Sequence, residues 1–414
     1  MKKECTVFVG ENPIELGKLS YEKKGQKSTS AFLYSDSWLR NPNQFALSPD
    51  LPLISGYQFH SARTSDESAF FACFSDVEPD GWGKMVIQRD FAKQRKDGVG
   101  NDRATHLNDF DYLMWISDFS RIGAIRLRDS EGIFQRRADL KRQTPPLIEL
   151  PQLLRASKAI EENQETLNDL EYLRGVGTSL GGLRPKCSII DADGNLAIGK
   201  FPSVGDTRSI VHGEVLALHL AKRCGIDAAS SQVIDSDGIP VALIKRFDRN
   251  GPKRLMYLSA NSLLQAKSHQ QYSYEDIASL IRTISPKAKY DLGQLWRRMI
   301  FNILINNVDD HLKNHGFLHT TDDQWVLAPA FDLNPFPDKM RALKTWISPQ
   351  SGEFASLDEA LAISKSFELP NKEAKVILSE MRSIVSTWKS IAQNLGTNAH
   401  DIDQYAPAFE YQEP

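Results

Sequence analysis

The stretch NNVDDHLKNHGF, Asn306 to Phe317, decides how the rest of the chain is read. Within twelve residues it holds three amides, two adjacent carboxylates, a lysine and two histidines. Just before it, Leu292, Leu295, Trp296, Met299, Ile300, Ile303 and Leu304 recur at helical spacing and form a wide apolar stripe. That stripe predicts a buried helix which the chain leaves at Asn306-Asn307. A loop emerging from a buried helix is held rigidly, which suits side chains that must be well positioned. The composition of the string fits a metal-dependent hydrolase, a phosphoryl-transfer enzyme or a solvated polar loop. Spacing, and partners elsewhere in the chain, must choose.

Asp309 and Asn314 stand in the relation D-x-x-x-x-N. Protein-kinase catalytic loops use this spacing: the Asp accepts or orients the hydroxyl proton and the Asn binds magnesium. Hard cations with phosphate ligands take oxygen donors, and a carboxylate with an amide oxygen supplies them. Two short strands around a Thr-Asp-Asp turn follow, in HGFLHTTDDQWVLAPAFD, and Asp332 comes after them like a kinase metal-binding Asp. Asn334 stands where that motif has glycine. The plainer reading is a polar loop in which Asp309 caps a turn. A hydrolase built on Asp309, Asp310, His311, His315 and His319 is a second alternative, but His315 and His319 flank an expected strand and alternate its faces poorly.

Toward the N-terminus, GVGTSLGGLRPK (Gly175 to Lys186) is glycine-rich but fails as a Walker A motif, because Leu183 follows Gly182 where Lys is required. Such a loop can still present backbone N–H groups to phosphates, or be an ordinary turn between strands. Lys200 ends the strand NLAIGK in the place of the kinase lysine that meets the α- and β-phosphates, and Glu214, in the next helix, is its natural partner. Lys200 as a solvated strand end and Glu214 as a first-turn acid favoured by the helix dipole are the plainer readings. The strand IPVALIKRFD then resembles a hinge, whose backbone from Lys245 to Phe247 would meet an adenine while Asp248 would reach the ribose. Glycine loop, Lys, Glu, hinge, helical lobe, D-x-x-x-x-N and metal Asp occur in the one order a kinase-like fold requires.

The whole chain accommodates that reading. At 414 residues, 41% hydrophobic and 25% charged, it is long enough for two or three domains with cores of their own. Fifty basic against 53 acidic residues leave a net charge of −3, which argues against a chain-wide nucleic-acid or membrane-surface binder. Cys5, Cys73, Cys187 and Cys224 lack C-x-x-C spacing and read as reduced thiols of a cytoplasmic protein, and no run suggests a signal peptide or membrane span. The expected fold class is α+β, with two lobes. Residues 1–134 form a β-rich N-terminal subdomain, with strands in CTVFVG and STSAFLYSDSWL and a helix after Asp80-Gly81. Residues 135–249 form the nucleotide-binding part of the N-terminal lobe. Residues 250–414 form an all-helical catalytic lobe apart from the hairpin before Asp332, with KEAKVILSEMRSIVSTWKSIAQNL as one helix and APAFEYQEP as a loose tail.

SLGGLRPK, LIKRFDR, NNVDDHLKNHGF and LAPAFDLNP together resemble the HipA-type serine/threonine kinases, the toxins of bacterial toxin–antitoxin pairs. FLYSDSWL, ALSPDLPL and FSDVEPDGWG resemble that family's N-terminal subdomain, so the likeness covers nearly the whole chain. It implies Asp309 as catalytic base, with His311 and Lys313 supporting the catalytic geometry or the γ-phosphate. It implies Asn314 and Asp332 as magnesium ligands, and an ATP site formed by Ser179, Gly181, Gly182, Lys186, Lys200, Glu214, Lys245, Phe247 and Asp248. Ser179 falls where the family autophosphorylates its phosphate loop, and a phosphate there would expel the loop and switch the enzyme off. The implied partners are a HipB-like helix-turn-helix antitoxin, operator DNA through that complex, and an aminoacyl-tRNA ligase, such as the glutamate enzyme, as protein substrate. A catalytically silent corepressor is the remaining alternative, and nothing in mere binding requires Lys200, Asp309, Asn314 and Asp332 together.

Overall fold

A computed structural model describes residues 2–62, 64, 67–79, 81–96, 106–134, 149–173, 182–321, 323–337 and 342–410. The chain divides into two compact units, Met1–Gly205 with Asp235–Leu258, and Asp206–Ile234 with Ser259–Pro414.

In the first unit a five-stranded antiparallel sheet runs in the order Tyr57–Ser61, Lys27–Tyr34, Ile14–Lys24, Lys2–Val9, Ile125–Arg128. Alternation of inward and outward residues drives it: in Lys27–Tyr34, Ser28, Ser30, Phe32 and Tyr34 point inward and are buried. Ile14–Lys24 was not expected as a strand. Its alternation is interrupted at Gly17, beside a bulge between Val7 and Phe8, and the backbone there passes so close to Leu33 that no side chain fits. In STSAFLYSDSWL only the first part is strand. Asp36–Leu39 is a helical turn capped by the Ser35 hydroxyl, which accepts from Trp38 N–H at 3.1 Å. A helix follows at Gly81–Lys96, as expected, and another at Asp109–Trp115.

A hairpin of the same unit pairs Lys186–Ile190 with Leu196–Lys200, and Leu196–Lys200 pairs in turn with Ile239–Lys245. An ionic knot joins the residues after strand Ile239–Lys245 to the N-terminal sheet region. Asp248, buried, bridges Arg246 and Arg249 (2.7 Å) and accepts the Gly123 N–H at 2.7 Å. Nearby, Arg254 and Arg126 share Asp118 at 3.2 and 2.7 Å.

The second unit is helical around one hairpin. Helix Ala288–Leu304 carries the expected apolar stripe, every member of which is buried. It anchors helix Ile210–Arg223 through Gln294, whose amide accepts from Asp227 N–H (2.8 Å) and donates to the Gly225 carbonyl (3.0 Å). Two expectations are corrected here. The long helix over KEAKVILSEMRSIVSTWKSIAQNL is two, Asn371–Val385 and Trp388–Asn394. The Ser386 and Thr387 hydroxyls bond back to the Ser383 and Ile384 carbonyls at the break. The supposed tail is ordered through Phe409: Ala399–Phe409 is a helix capped by Asn398, and Phe409 stacks on Trp388 with centroids 4.5 Å apart. All four cysteines are buried free thiols. No helix among the described residues is long and apolar enough to cross a membrane.

Candidate active site

The loop's geometry begins at the end of helix Ala288–Leu304. Asn306 lies in the left-handed region at φ 53°, a conformation an Asn tolerates better than most side chains. Its N–H bonds the Ile303 carbonyl at 3.3 Å, and Asn307 N–H bonds that of Asn302 at 2.8 Å. This is the reciprocal pattern of a Schellman cap, so the Asn-Asn pair ends the helix and aims the loop from Val308 onward. Asn307 also donates through its side chain to Asn302 Oδ1 at 3.0 Å.

The two adjacent carboxylates then part company. The Asp309 side chain is 66% exposed; that of Asp310 is 6% exposed. Asp310 Oδ2 accepts from the Tyr274 hydroxyl and meets His315 Nε2 at 2.8 Å, while Asn302 Nδ2 donates to the same hydroxyl at 3.0 Å. Burial opposes ionisation of Asp310, but His315 beside it and the two hydrogen bonds more than offset this, holding the carboxyl below its ordinary value. Burial, then the Asp310 charge, pushes the Tyr274 hydroxyl well above its ordinary value. His315 is therefore a buried partner of Asp310. Among the described residues no three His, Cys, Asp or Glu side chains converge as a metal site, so the histidine-rich hydrolase reading gains no support.

Asp309 is presented on top of this buried frame. Lys344 forms an ion pair with it, and Asn314 Nδ2 donates to the Asp309 carbonyl at 3.3 Å. The amide nitrogen of buried Asn314 thus faces the loop, and its oxygen is the end suited to a cation. His311 is half-buried, with Nδ1 enclosed and without a hydrogen-bond partner among the described residues, and Lys313 is exposed. Asp332 follows the hairpin Gly316–His319 and Trp325–Leu327 as expected. Its backbone is left-handed at φ 55°, and its Oδ1 accepts from Asn334 Nδ2 at 3.3 Å. An all-oxygen donor set of Asn314 and Asp332 suits magnesium rather than zinc.

In the first unit the hairpin register sets Lys186 directly opposite Lys200. Directly opposed like charges are unfavourable in an antiparallel pair, and a phosphate group between them would reverse the sign. Gly182 sits at φ 96°, a conformation side chains rarely adopt, with the flexible Lys186 Nζ close against it. Ser179 and Gly181 lie outside the described residues. Glu214 is buried on Ile210–Arg223, in the second unit, whereas Lys200 belongs to the first. Lys245 is exposed at the end of its strand, and Phe247 is half-buried against Tyr257, ring centroids 6.3 Å apart. The buried Asp248 carboxylate accepts from Arg246, Arg249 and the Gly123 N–H, with a single one of these bonds on its Oδ1. Sequence reasoning did not find Tyr274 or Lys344, which lie far from the loop in sequence and carry no local signal.

Residues 6–128 match the model of the HipA N-terminal domain, and residues 178–388 match that of the HipA-like C-terminal domain. "Putative kinase Y4mE" of Sinorhizobium fredii is 24% identical over 332 residues, 73% of this chain and 71% of the relative. A "Putative kinase" of Haemophilus influenzae is 24% identical over 189 residues, 39% of this chain and 54% of the relative. Among solved structures, the Shewanella oneidensis HipA, determined with HipB and operator DNA, superposes with a TM-score of 0.65 at 18% identity. The superposition covers 98% of this chain and 95% of that one.

Proposed function

Because the chain belongs to the HipA family, we propose that it is an ATP- and magnesium-dependent serine/threonine protein kinase, the toxin of a toxin–antitoxin pair. The observation that carries the reading is the division of labour between neighbours: a buried, ionised Asp310 fixes the loop, and the accessible Asp309 is left to meet substrate. In this reading Asp309 accepts the hydroxyl proton of the acceptor serine or threonine. Asn314 and Asp332 would hold magnesium, whose charge would neutralise phosphate oxygens. Lys186, Lys200 and the end of the glycine loop would receive the phosphates, with Glu214 pairing Lys200 and the backbone from Lys245 to Phe247 facing the adenine. His311 and Lys313 would support the loop or the γ-phosphate.

The partner and target come from the family. A relative solved with HipB and operator DNA supports a HipB-like antitoxin that neutralises this chain and carries it to an operator. The protein substrate would be a translation component, an aminoacyl-tRNA ligase such as the glutamate enzyme, in the cytoplasm. Autophosphorylation of Ser179 would switch the kinase off.

Incubation of the purified chain with labelled ATP and magnesium tests this, with Asp309→Asn as the control. Label on Ser179 or on a ligase, in wild type only, is expected. Equal labelling of the two proteins removes Asp309 as the base, and no transfer despite tight ATP binding favours a silent corepressor.

A further inference from the structure

We propose that Lys344 is a positioning residue of the transfer reaction: its ammonium holds the Asp309 carboxylate until the acceptor hydroxyl displaces it, then stays beside the arriving phosphoryl oxygens. This rests on the kinase reading above. Lys344 lies in a short segment that is laced to the catalytic loop on either side of Asp309. Its backbone N–H donates to the Val308 carbonyl at 3.3 Å, and Thr345 donates to the Asp310 carbonyl through N–H (3.2 Å) and hydroxyl (2.7 Å). Further out, Leu343 N–H bonds the Glu353 carbonyl at 2.7 Å and Trp346 N–H the Tyr272 carbonyl at 3.0 Å.

Burial alternates along the segment. Leu343, Thr345 and Ile347 are buried, and Lys344 faces outward between them. The backbone of Lys344 is thus fixed by buried neighbours, while its side chain remains exposed on an exposed partner. An incidental surface pair has no such frame.

The balance of the interaction suits exchange. Exposed ion pairs are weak, so a hydroxyl that brings its own hydrogen bond to Asp309 can replace the ammonium. As the hydroxyl oxygen bonds to the γ-phosphorus, the bond to the ADP oxygen breaks and the hydroxyl proton passes to Asp309. Asp309 is then neutral, and the Lys344 ammonium is left facing the transferred phosphate.

Two measurements on the full chain decide. In label-transfer kinetics, Lys344→Ala and Lys344→Gln should lower kcat by about 100-fold, the lower end of the roughly 10²–10³ lost with one charge-stabilising donor. KM for ATP should change by less than about threefold and the melting temperature stay near wild type, while Lys344→Arg recovers most of the rate. Wild-type rates in Lys344→Ala, a faster Lys344→Ala, or Lys344→Gln equal to Lys344→Arg overturns the proposal and leaves the kinase reading intact. A wild-type chain that transfers no label removes that reading and this role with it. Independently of activity, acylation by an N-hydroxysuccinimide ester, followed by mass spectrometry, should modify Lys344 several-fold faster in Asp309→Asn than in wild type. Equal rates overturn the contact on which the proposal stands.

Discussion

Asp310→Ala should destabilise the second unit by about 3–5 kcal/mol, whereas Asp309→Ala, one residue away, should cost less than about 1 kcal/mol. The difference arises from surroundings rather than chemistry. The Asp310 carboxylate is almost wholly buried and receives the Tyr274 hydroxyl and His315 Nε2, so deleting it strands two buried polar groups. Asp309 has only an exposed ion pair to lose. For a unit of about 150–250 residues, each kcal/mol moves the melting temperature roughly 2–4 °C, so Asp310→Ala should melt about 6–20 °C below wild type. The pH dependence gives a second check. Asp310 titrates below its ordinary value in the folded chain. Its contribution is therefore present above the unfolded value of about 3.9 and is lost as pH falls through the lower folded value. Urea unfolding followed by tryptophan fluorescence should show a wide gap between wild type and Asp310→Asn at pH 7 that narrows below about pH 4. An Asp310→Ala midpoint equal to wild type, or a gap that stays constant into acid, refutes the reasoning.

Two other contacts carry expected outcomes of their own. Gly213→Ala would place a methyl 2.6 Å from Tyr405 Cζ, so overpacking should cost about 1–3 kcal/mol, measurable as a lower urea midpoint. In a double-mutant cycle Gly213→Ala should cost less in a Tyr405→Ala background than in wild type, and strictly additive costs would argue against the clash. Asp248→Ala would leave Arg246 and Arg249 buried without their carboxylate, at about 3–5 kcal/mol. Burial works against ionisation of Asp248, but the two arginines hold its carboxyl down to about 2. Its contribution should persist above about pH 4 and fade as pH drops toward 2, and acid titration of wild type against the variant checks this.

Where one periodicity ran undisturbed, the fold was legible. The apolar stripe from Leu292 to Leu304 marked its helix, and the runs NLAIGK and IPVALIKRFD marked Leu196–Lys200 and Ile239–Lys245. Misreadings came where a side chain competed with the backbone or a long-range contact imposed order. Nothing in STW announces that the Ser386 and Thr387 hydroxyls will take helix carbonyls and divide one amphipathic run into two. The C-terminal segment, proline and all, is helical because Phe409 has Trp388 to stack on and Tyr405 donates its hydroxyl to the Ser209 carbonyl at 2.9 Å. Those partners are remote in sequence.

The site divides along the same line. The spacing of Asp309 and Asn314 is local, and a loop that must return its amide to a carbonyl five residues back has little freedom to change it. Which of two neighbouring aspartates is buried is not local. It depends on Tyr274, Asn302 and His315 converging beneath the loop, and on the Schellman cap at Asn306-Asn307 that sets the loop's exit. The adjacent pair that first suggested shared metal binding is instead one carboxylate buried in the loop's frame and one exposed at its surface, where the proposed chemistry would use it. That assignment makes the loop's stability and its activity separable by single substitutions. A site of interchangeable ligands would let neither residue change without loss of both.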